Sequence, residues 1–167
     1  GYEYEGFDRN IDTYIKRQKS NDNVSLKGSL NITDSLYLLN LVRPQFLVLD
    51  KKWETDSSIT IGIRPDEIRF KDKFVLQSDS QRVEVMGKIS KNPEDILNVG
   101  LVNLDLKPFG IFLGQELEGR ASGEAFISGV YDTLKLENNL SLQNLVMAKI
   151  PIGNLHTESE WNKKKKK

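Results

Sequence analysis

The chain of 167 residues has no cysteine and a single histidine, His156. The absence of cysteine excludes disulfides, thiol catalysis and thiolate metal sites, and one histidine excludes any site that needs two from this chain. Aromatic residues make up only 8% of the chain and are not interleaved with basic residues, so a stacking platform for single-stranded nucleic acid is not expected. No window approaches 18 consecutive apolar residues, so the sequence predicts no membrane-spanning helix.

The net charge of zero conceals a charge asymmetry, because residues 163–167 are five consecutive lysines. Without these five, 19 basic residues face 24 acidic ones, a net charge of −5. A slightly acidic body predicts no nucleic-acid partner, since phosphate contacts need basic residues gathered on one face. Two interpretations of the lysine tail stay open: an appended tag, or a native basic run that meets anionic lipid.

The dominant pattern is an alternation of apolar and polar residues with period two, which is typical of strands with one apolar and one wet face. Such strands belong to antiparallel rather than doubly covered parallel sheets. The alternating residues are Val24, Leu26, Leu30, Ile32, Ile59, Ile61, Ile63, Ile68, Phe70, Phe74, Leu76, Val83, Val85, Ile89, Val102, Leu104, Leu106, Leu134, Leu136, Leu140 and Leu142. Turn-forming clusters recur at short intervals between these runs and predict consecutive hairpins. The sequence therefore predicts an all-β, largely antiparallel sheet.

Two segments break the alternation and predict short helices. Phe7, Ile11, Tyr14 and Ile15 lie at helical spacing, which predicts an amphipathic helix over residues 7–18. Residues 108–115 begin with a proline and are rich in apolar side chains, which suits one or two helical turns that cap a sheet edge.

No set of residues suits catalysis, so we expect neither an enzyme nor a cofactor or metal. His156 has the opposite parity to Leu155 and Trp161, which predicts a solvated strand residue rather than a general base. The glycine-rich run at residues 119–129 lacks the Gly-Lys-Ser/Thr ending of a phosphate loop. It reads instead as a strand with one nearly bare face, at a bend, a bulge or a close approach of another group.

Four segments together resemble the repeating periplasmic region of AsmA-like proteins, specifically the translocation and assembly module TamB family of Bacteroides-type bacteria. They are residues 53–70, residues 82–95 with a Gly-x-Ile-x-x-x-Pro ending, residues 99–109 and residues 117–129. Their serial order carries the resemblance, which covers residues 50–162 well and residues 1–49 loosely.

The resemblance implies a long curved sheet that forms an open, taco-like groove with apolar side chains inside. It implies a periplasmic location within a parent protein anchored in the inner membrane, and a role in phospholipid transport or outer-membrane protein assembly. The implied partners are phospholipid acyl chains or nascent outer-membrane β-strands, and an outer-membrane assembly protein in the parent complex. The implied groove lining is Ile59, Ile61, Ile63, Val83, Val85, Ile89, Leu104, Leu106, Leu136, Leu140 and Leu142.

This interpretation divides the chain into N-terminal strands with the short helix (residues 1–49), a β-groove repeat unit (50–162) and the lysine tail (163–167). A faint match between residues 26–32 and 136–142 is compatible with a repeat of roughly 110 residues, or with the likeness of any two alternating strands. Open sheet edges are expected at both ends of the fragment, where they can pair between copies.

One alternative stays open. The same apolar residues could line the core of a closed β-sandwich, an interaction module that binds carbohydrate or a protein partner. The exposed aromatic residues of such a module would be Trp53, Tyr131 and Trp161.

Overall fold

The computed structural model describes residues 7–16, 23–33, 35–48, 51–55 and 57–164. These residues form one open antiparallel sheet of 12 strands and one short helix, so the predicted all-β class is confirmed. The strands are β1 (Phe7–Lys16), β2 (Asn23–Ile32), β3 (Tyr37–Leu41), β4 (Gln45–Val48), β5 (Lys51–Glu54), β6 (Ile59–Arg64), β7 (Glu67–Ser78), β8 (Gln81–Ser90), β9 (Ile96–Asp105), β10 (Leu117–Ser128), β11 (Thr133–Met147) and β12 (Ile150–Lys164). The helix, α1, spans Lys107–Leu113 between β9 and β10.

The sheet is an up-and-down meander if β3 and β4 are counted as one interrupted strand, and β5 and β6 as another. β3 and β4 both pair with β2, and one extra residue separates their registers: Gly28 faces Leu41, whereas Val24 faces Phe46. β5 and β6 likewise follow each other along β4 and β3, and both then pair with β7. Each continuous or interrupted strand therefore pairs with its neighbour in sequence, and β7 to β12 follow in chain order.

The predicted helix over residues 7–18 is wrong within the described part of that range, because Phe7–Lys16 is strand β1. All ten of its residues are in register with β2, from Phe7 opposite Ile32 to Lys16 opposite Asn23. The spacing of four between Phe7, Ile11 and Ile15 fits a strand of period two as well as a helix. The β-branched and aromatic residues of this segment favour the strand, and the ladder with β2 selects it.

The second predicted helix is confirmed at α1. Proline lies in its first turn, where the missing N–H costs no hydrogen bond. Gly114 ends the helix in the left-handed conformation (φ 63°), and its N–H donates to the Gly110 carbonyl. The connections are also tied to the sheet, since the Leu106 N–H donates to the Gly119 carbonyl at 3.0 Å.

The glycine-rich run forms β10, and its glycines stand at irregular points of the sheet. The register shifts between Glu118 and Arg120 against β11, and between Ala121 and Gly123 against β9. Gly123 has φ 136°, and a Cβ there would lie 2.1 Å from the Asn139 carbonyl oxygen. The predicted close backbone approach is therefore found in this strand, whereas the bulges lie in its partners, because the extra residues at the two shifts belong to β11 and β9.

Full burial is rare among the described side chains. The buried apolar residues are Leu41, Pro44, Ile59, Leu104, Ala121 and Leu145. Most other apolar side chains of the strands are half-buried, because a single layer covers them only with neighbours from the same sheet. The predicted alternative of a closed sandwich is not the fold of the described residues.

Candidate functional site

One face of the sheet is apolar from β2 to β12, and we call it the apolar face. Residues that are directly opposite on paired strands point to the same side of a sheet. The registers connect apolar side chains across the ladders from β2 to β12 except β5–β7, whose one register pair is Glu54 with Gln77. Its described members are Leu30, Ile32, Leu39, Leu41, Phe46, Trp53, Ile59, Ile61, Ile63, Ile68, Phe70, Phe74, Leu76, Val83, Val85, Ile89, Leu97, Val99, Leu101, Leu104, Ala121, Ala125, Ile127, Leu136, Leu140, Leu142, Leu155 and Trp161.

The structure brings ten of the eleven predicted lining residues onto this face. Their register partners are apolar or small in nearly every case. The ten are Ile59, Ile61, Ile63, Val83, Val85, Ile89, Leu104, Leu136, Leu140 and Leu142. The exception is Leu106, which lies beyond the end of β9 and immediately precedes α1.

A bulge in β9 changes which residues of this strand lie on the apolar face, compared with a strict alternation. Leu101 faces Val83, whereas Val102 faces Arg82 on the opposite side and is 46% exposed. Asn103 adopts φ 51°, and its N–H donates to the Ser122 hydroxyl at 2.9 Å. The extra residue returns Leu104 to the apolar face opposite Ala121. Leu97, Val99 and Leu101 were therefore missing from the predicted lining, although their own alternation was visible.

The apolar face curls into a cavity at the end where β5, β9 and α1 meet. Its volume is about 360 Å³, and its lining is almost wholly apolar: Phe46, Trp53, Phe74, Leu76, Val83, Leu104, Pro108 and Phe109, with Lys51, Gln81 and Asp105 at its margin. The sequence pattern did not group Phe46, Trp53 and Phe109. The first two face each other on consecutive strands, but Phe109 comes from a helix that is distant from them in the chain.

An ion pair between non-neighbouring strands shows how far the sheet is curved at this end. Lys51 Nζ lies 2.6 Å from an Asp105 carboxylate oxygen, although β7 and β8 stand between β5 and β9 in the sheet. Strand neighbours are about 4.8 Å apart, so a flat sheet would separate β5 from β9 by roughly 14 Å. The contact therefore requires that the sheet bend toward its apolar face at this end.

The environment of Asp105 keeps its carboxylate charged. Burial by itself raises the pKa, but the Lys51 hydrogen bond, the Lys107 backbone N–H and the nearby Lys51 and Arg120 charges together lower the pKa of Asp105 below its ordinary value. The Gln81 side-chain oxygen accepts a hydrogen bond from the Asp105 backbone N–H at 2.9 Å. The margin of the cavity thus carries one positive and one negative charge in contact.

The opposite face of the sheet is polar and carries ion pairs. Glu67 contacts Arg64 and Arg69, each at 3.0 Å, and these contacts lower the pKa of the Glu67 carboxyl, the Arg69 hydrogen bond most of all. Glu84 contacts Lys73 and Arg82, and the Lys73 hydrogen bond is the main cause of its lowered pKa. The two faces therefore differ in chemistry as the alternation predicts.

The far end of the sheet, at β11 and β12, is more exposed. Leu155 and Trp161 lie on the apolar face opposite Leu142 and Leu136, and they are 42% and 46% exposed. Asn138 interrupts this face, since its side chain donates to the Ser159 hydroxyl at 2.6 Å and accepts from Thr157 at 3.2 Å. The groove is thus almost wholly apolar near α1 and becomes more polar toward β12.

Metal-ligating side chains do not gather at one point of the described residues. His156 is exposed on the polar face of β12, with Nδ1 3.3 Å from the Ser141 hydroxyl, which matches the predicted solvated strand residue. No group of three or more His, Asp or Glu side chains in the described ranges could hold a metal ion. In that same part of the chain no helix has the length and apolar character needed to traverse a bilayer.

The three predicted carbohydrate-binding aromatics do not share one environment. Trp53 is half-buried in the cavity, whereas Tyr131 in the β10–β11 connection and Trp161 at the outer strand are exposed. Carbohydrate binding by this chain stays a prediction.

Comparison with known proteins gives no match: no family model fits the chain, and no curated protein or solved structure is significantly similar to it.

Proposed function

We propose that this chain is a non-enzymatic segment of a periplasmic bridge of the TamB/AsmA-like type, and that its apolar face shields phospholipid acyl chains between the two membranes. The observation that carries the proposal is the apolar face itself, which runs from β2 to β12 and is not covered by a second layer among the described residues. Each acyl CH₂ group removed from water contributes about 0.8 kcal/mol, so such a face binds lipid tails without polar specificity.

The same face also suits a second cargo of this class of bridge, the strands of nascent outer-membrane proteins, whose lipid-facing side chains alternate with polar ones. The parent protein is proposed to be anchored in the inner membrane and to contact an outer-membrane assembly protein. A large exposed apolar face on a chain that passes through water needs a reason of this kind, because it otherwise promotes association.

Lipid retention tests the proposal. We expect the purified chain to carry phospholipid that mass spectrometry detects, and Ile61→Asp to reduce the lipid per chain at least about tenfold, because the half-buried carboxylate lines the path of the tail. Leu104→Asp is expected to act in the same direction at a more buried position.

Val102→Asp is the matched control. It makes a similar aliphatic-to-acid change in β9, two residues from Leu104 but on the polar face, where Val102 is exposed. We expect it to retain the lipid of the unmodified chain. Equal lipid content in Ile61→Asp and the unmodified chain, with unchanged circular dichroism, would show that the apolar face does not hold the cargo.

A further inference from the structure

The cavity beneath α1 has walls from more than one side of the apolar face. Phe46 and Trp53 line it from β4 and β5, Leu104 from β9, and Phe109 from α1. It opens onto the rest of the apolar face, because Phe74 and Val83 line it and their neighbours Phe70 and Val85 continue the same face. A molecule that lies along the groove therefore meets apolar walls from β4, β5, β9 and α1 here.

The volume of the cavity limits its occupant to one acyl chain. An apolar cavity of about 150 Å³ in a protein core holds one benzene molecule. By that ratio, a cavity of about 360 Å³ holds roughly 14 carbon atoms. This is the size of one acyl chain and is too small for a whole phospholipid with two chains and a headgroup.

The charges at the margin favour the hydrocarbon end of the lipid. Lys51 is the cation that lines the cavity, and its ammonium group is 2.6 Å from the Asp105 carboxylate. Its charge is therefore neutralised within the site, and an anionic headgroup at this position would face Asp105 as well. An unpaired phosphate would be desolvated against apolar walls at a high free-energy cost.

From lining, volume and charge we infer that the cavity beneath α1 is a stop for a single acyl chain, which enters with its methyl end while the headgroup stays over the open part of the groove. This assignment rests on the proposed function, since it gives the lipid a direction and an end point within the same groove. α1 is then the element that ends the groove on this side.

The fluorescence of Trp53 reports on the orientation of the bound acyl chain, since Trp53 lines the cavity. In a Trp161→Phe background it is the only tryptophan, and bromine atoms on a lipid quench its fluorescence at short range. We expect phosphatidylcholine brominated near the methyl end of its chain to quench Trp53 more strongly than the same lipid brominated near the carbonyl. Equal quenching, or stronger quenching by the carbonyl-proximal bromine, would overturn the tail-first orientation.

A filling variant tests the location. Val83→Phe adds a ring to the cavity wall and should weaken binding of the terminally brominated lipid about tenfold, whereas Val102→Phe adds the same ring on the polar face and should leave binding unchanged. Phosphatidylcholine and phosphatidylglycerol of equal chain length should bind within about twofold of each other, because the margin is neutral. Equal binding by the two valine variants would overturn the site, and a tenfold preference for the anionic lipid would overturn the charge argument.

The two proposals fail differently. Lipid that co-purifies and is lost in Ile61→Asp, combined with no preference for terminal bromine, would overturn the acyl-chain stop and leave the proposed function standing. No co-purified lipid, combined with the predicted quenching and the Val83→Phe effect, would remove support for the proposed function and keep the cavity as an alkyl-chain site.

Discussion

At the scale of single residues, Lys51 and Asp105 have the largest structural consequence. Their side chains are 34% and 27% exposed and join two strands that are not neighbours in the sheet. A partly exposed ion pair contributes only about 1 kcal/mol to stability, so its importance lies in geometry. It is a direct side-chain contact between β5 and β9, which β7 and β8 separate in the sheet.

The pH dependence of stability checks this pair. The folded pKa of Asp105 is lowered, so the stability it contributes is present above the unfolded value, near 3.8, and is lost as pH falls through the lower folded value. We expect Asp105→Asn to reduce the free energy of unfolding by about 1 kcal/mol at pH 7, and the gap to the unmodified chain to shrink toward pH 3. Urea denaturation of both chains at pH 7, 5 and 3 measures this difference in the free energy of unfolding.

Asp79→Asn, in the exposed β7–β8 turn, controls for the loss of one negative charge. A gap between Asp105→Asn and the unmodified chain that is the same at pH 7 and pH 3 would contradict the assigned pairing.

At the scale of elements, the bulge in β9 decides which side chains reach the apolar face. Asn103 takes the left-handed conformation, which asparagine tolerates and β-branched residues do not. The extra residue of the bulge lets Leu101 and Leu104, an odd and an even position, lie on the same side of the sheet. The orientation of Leu104 into the cavity therefore depends on a residue that does not line it.

We expect substitutions of Asn103 at the bulge to differ in how much they lower the free energy of unfolding. Asn103→Gly should change the free energy of unfolding by less than about 0.5 kcal/mol, because glycine adopts positive φ readily. Asn103→Val should lower it by about 1–2 kcal/mol through backbone strain. Asn98→Val, at a regular position of the same strand, controls for the change of side chain. Equal stability of Asn103→Val and Asn98→Val in urea denaturation would contradict the role of the bulge.

Period-two alternation was sufficient to predict the strands and most of the groove lining, because a ladder keeps every second residue on one side. It failed at Val102, where a bulge changes parity without leaving a mark in the sequence, and at Leu106, which lies beyond the end of β9 and precedes α1. It failed at Phe7–Lys16 because a spacing of four satisfies both periods. The cavity could not be predicted, since the contact of Lys51 with Asp105 depends on how far the whole sheet bends.

At the scale of the whole molecule, the sheet has an outer strand with exposed apolar residues. β12 pairs only with β11 among the described strands, and Ile150 and Ile152 near its start are 64% and 45% exposed. An unpaired strand edge presents backbone donors and acceptors to any second strand. The end of the sheet at β12 is therefore the expected place for contact between copies of the chain.

Sedimentation velocity over a range of concentrations tests this expectation. We expect reversible self-association, and the double change Ile150→Lys with Ile152→Lys to weaken it about tenfold or more, since burial of one isoleucine contributes about 1.5–3 kcal/mol. Ser80→Lys with Gln115→Lys adds the same charge at exposed positions away from β12. Identical association constants for the two double variants would contradict a contact at β12.

The up-and-down order of the strands also has a kinetic consequence. Because each strand hydrogen-bonds to the segment that precedes or follows it in the chain, the ladder grows by closing short loops and never waits for a remote partner. A chain that leaves the ribosome or a translocation pore can thus form its hairpins one after another, in the order in which their strands emerge. Each new hairpin covers the edge left by the one before.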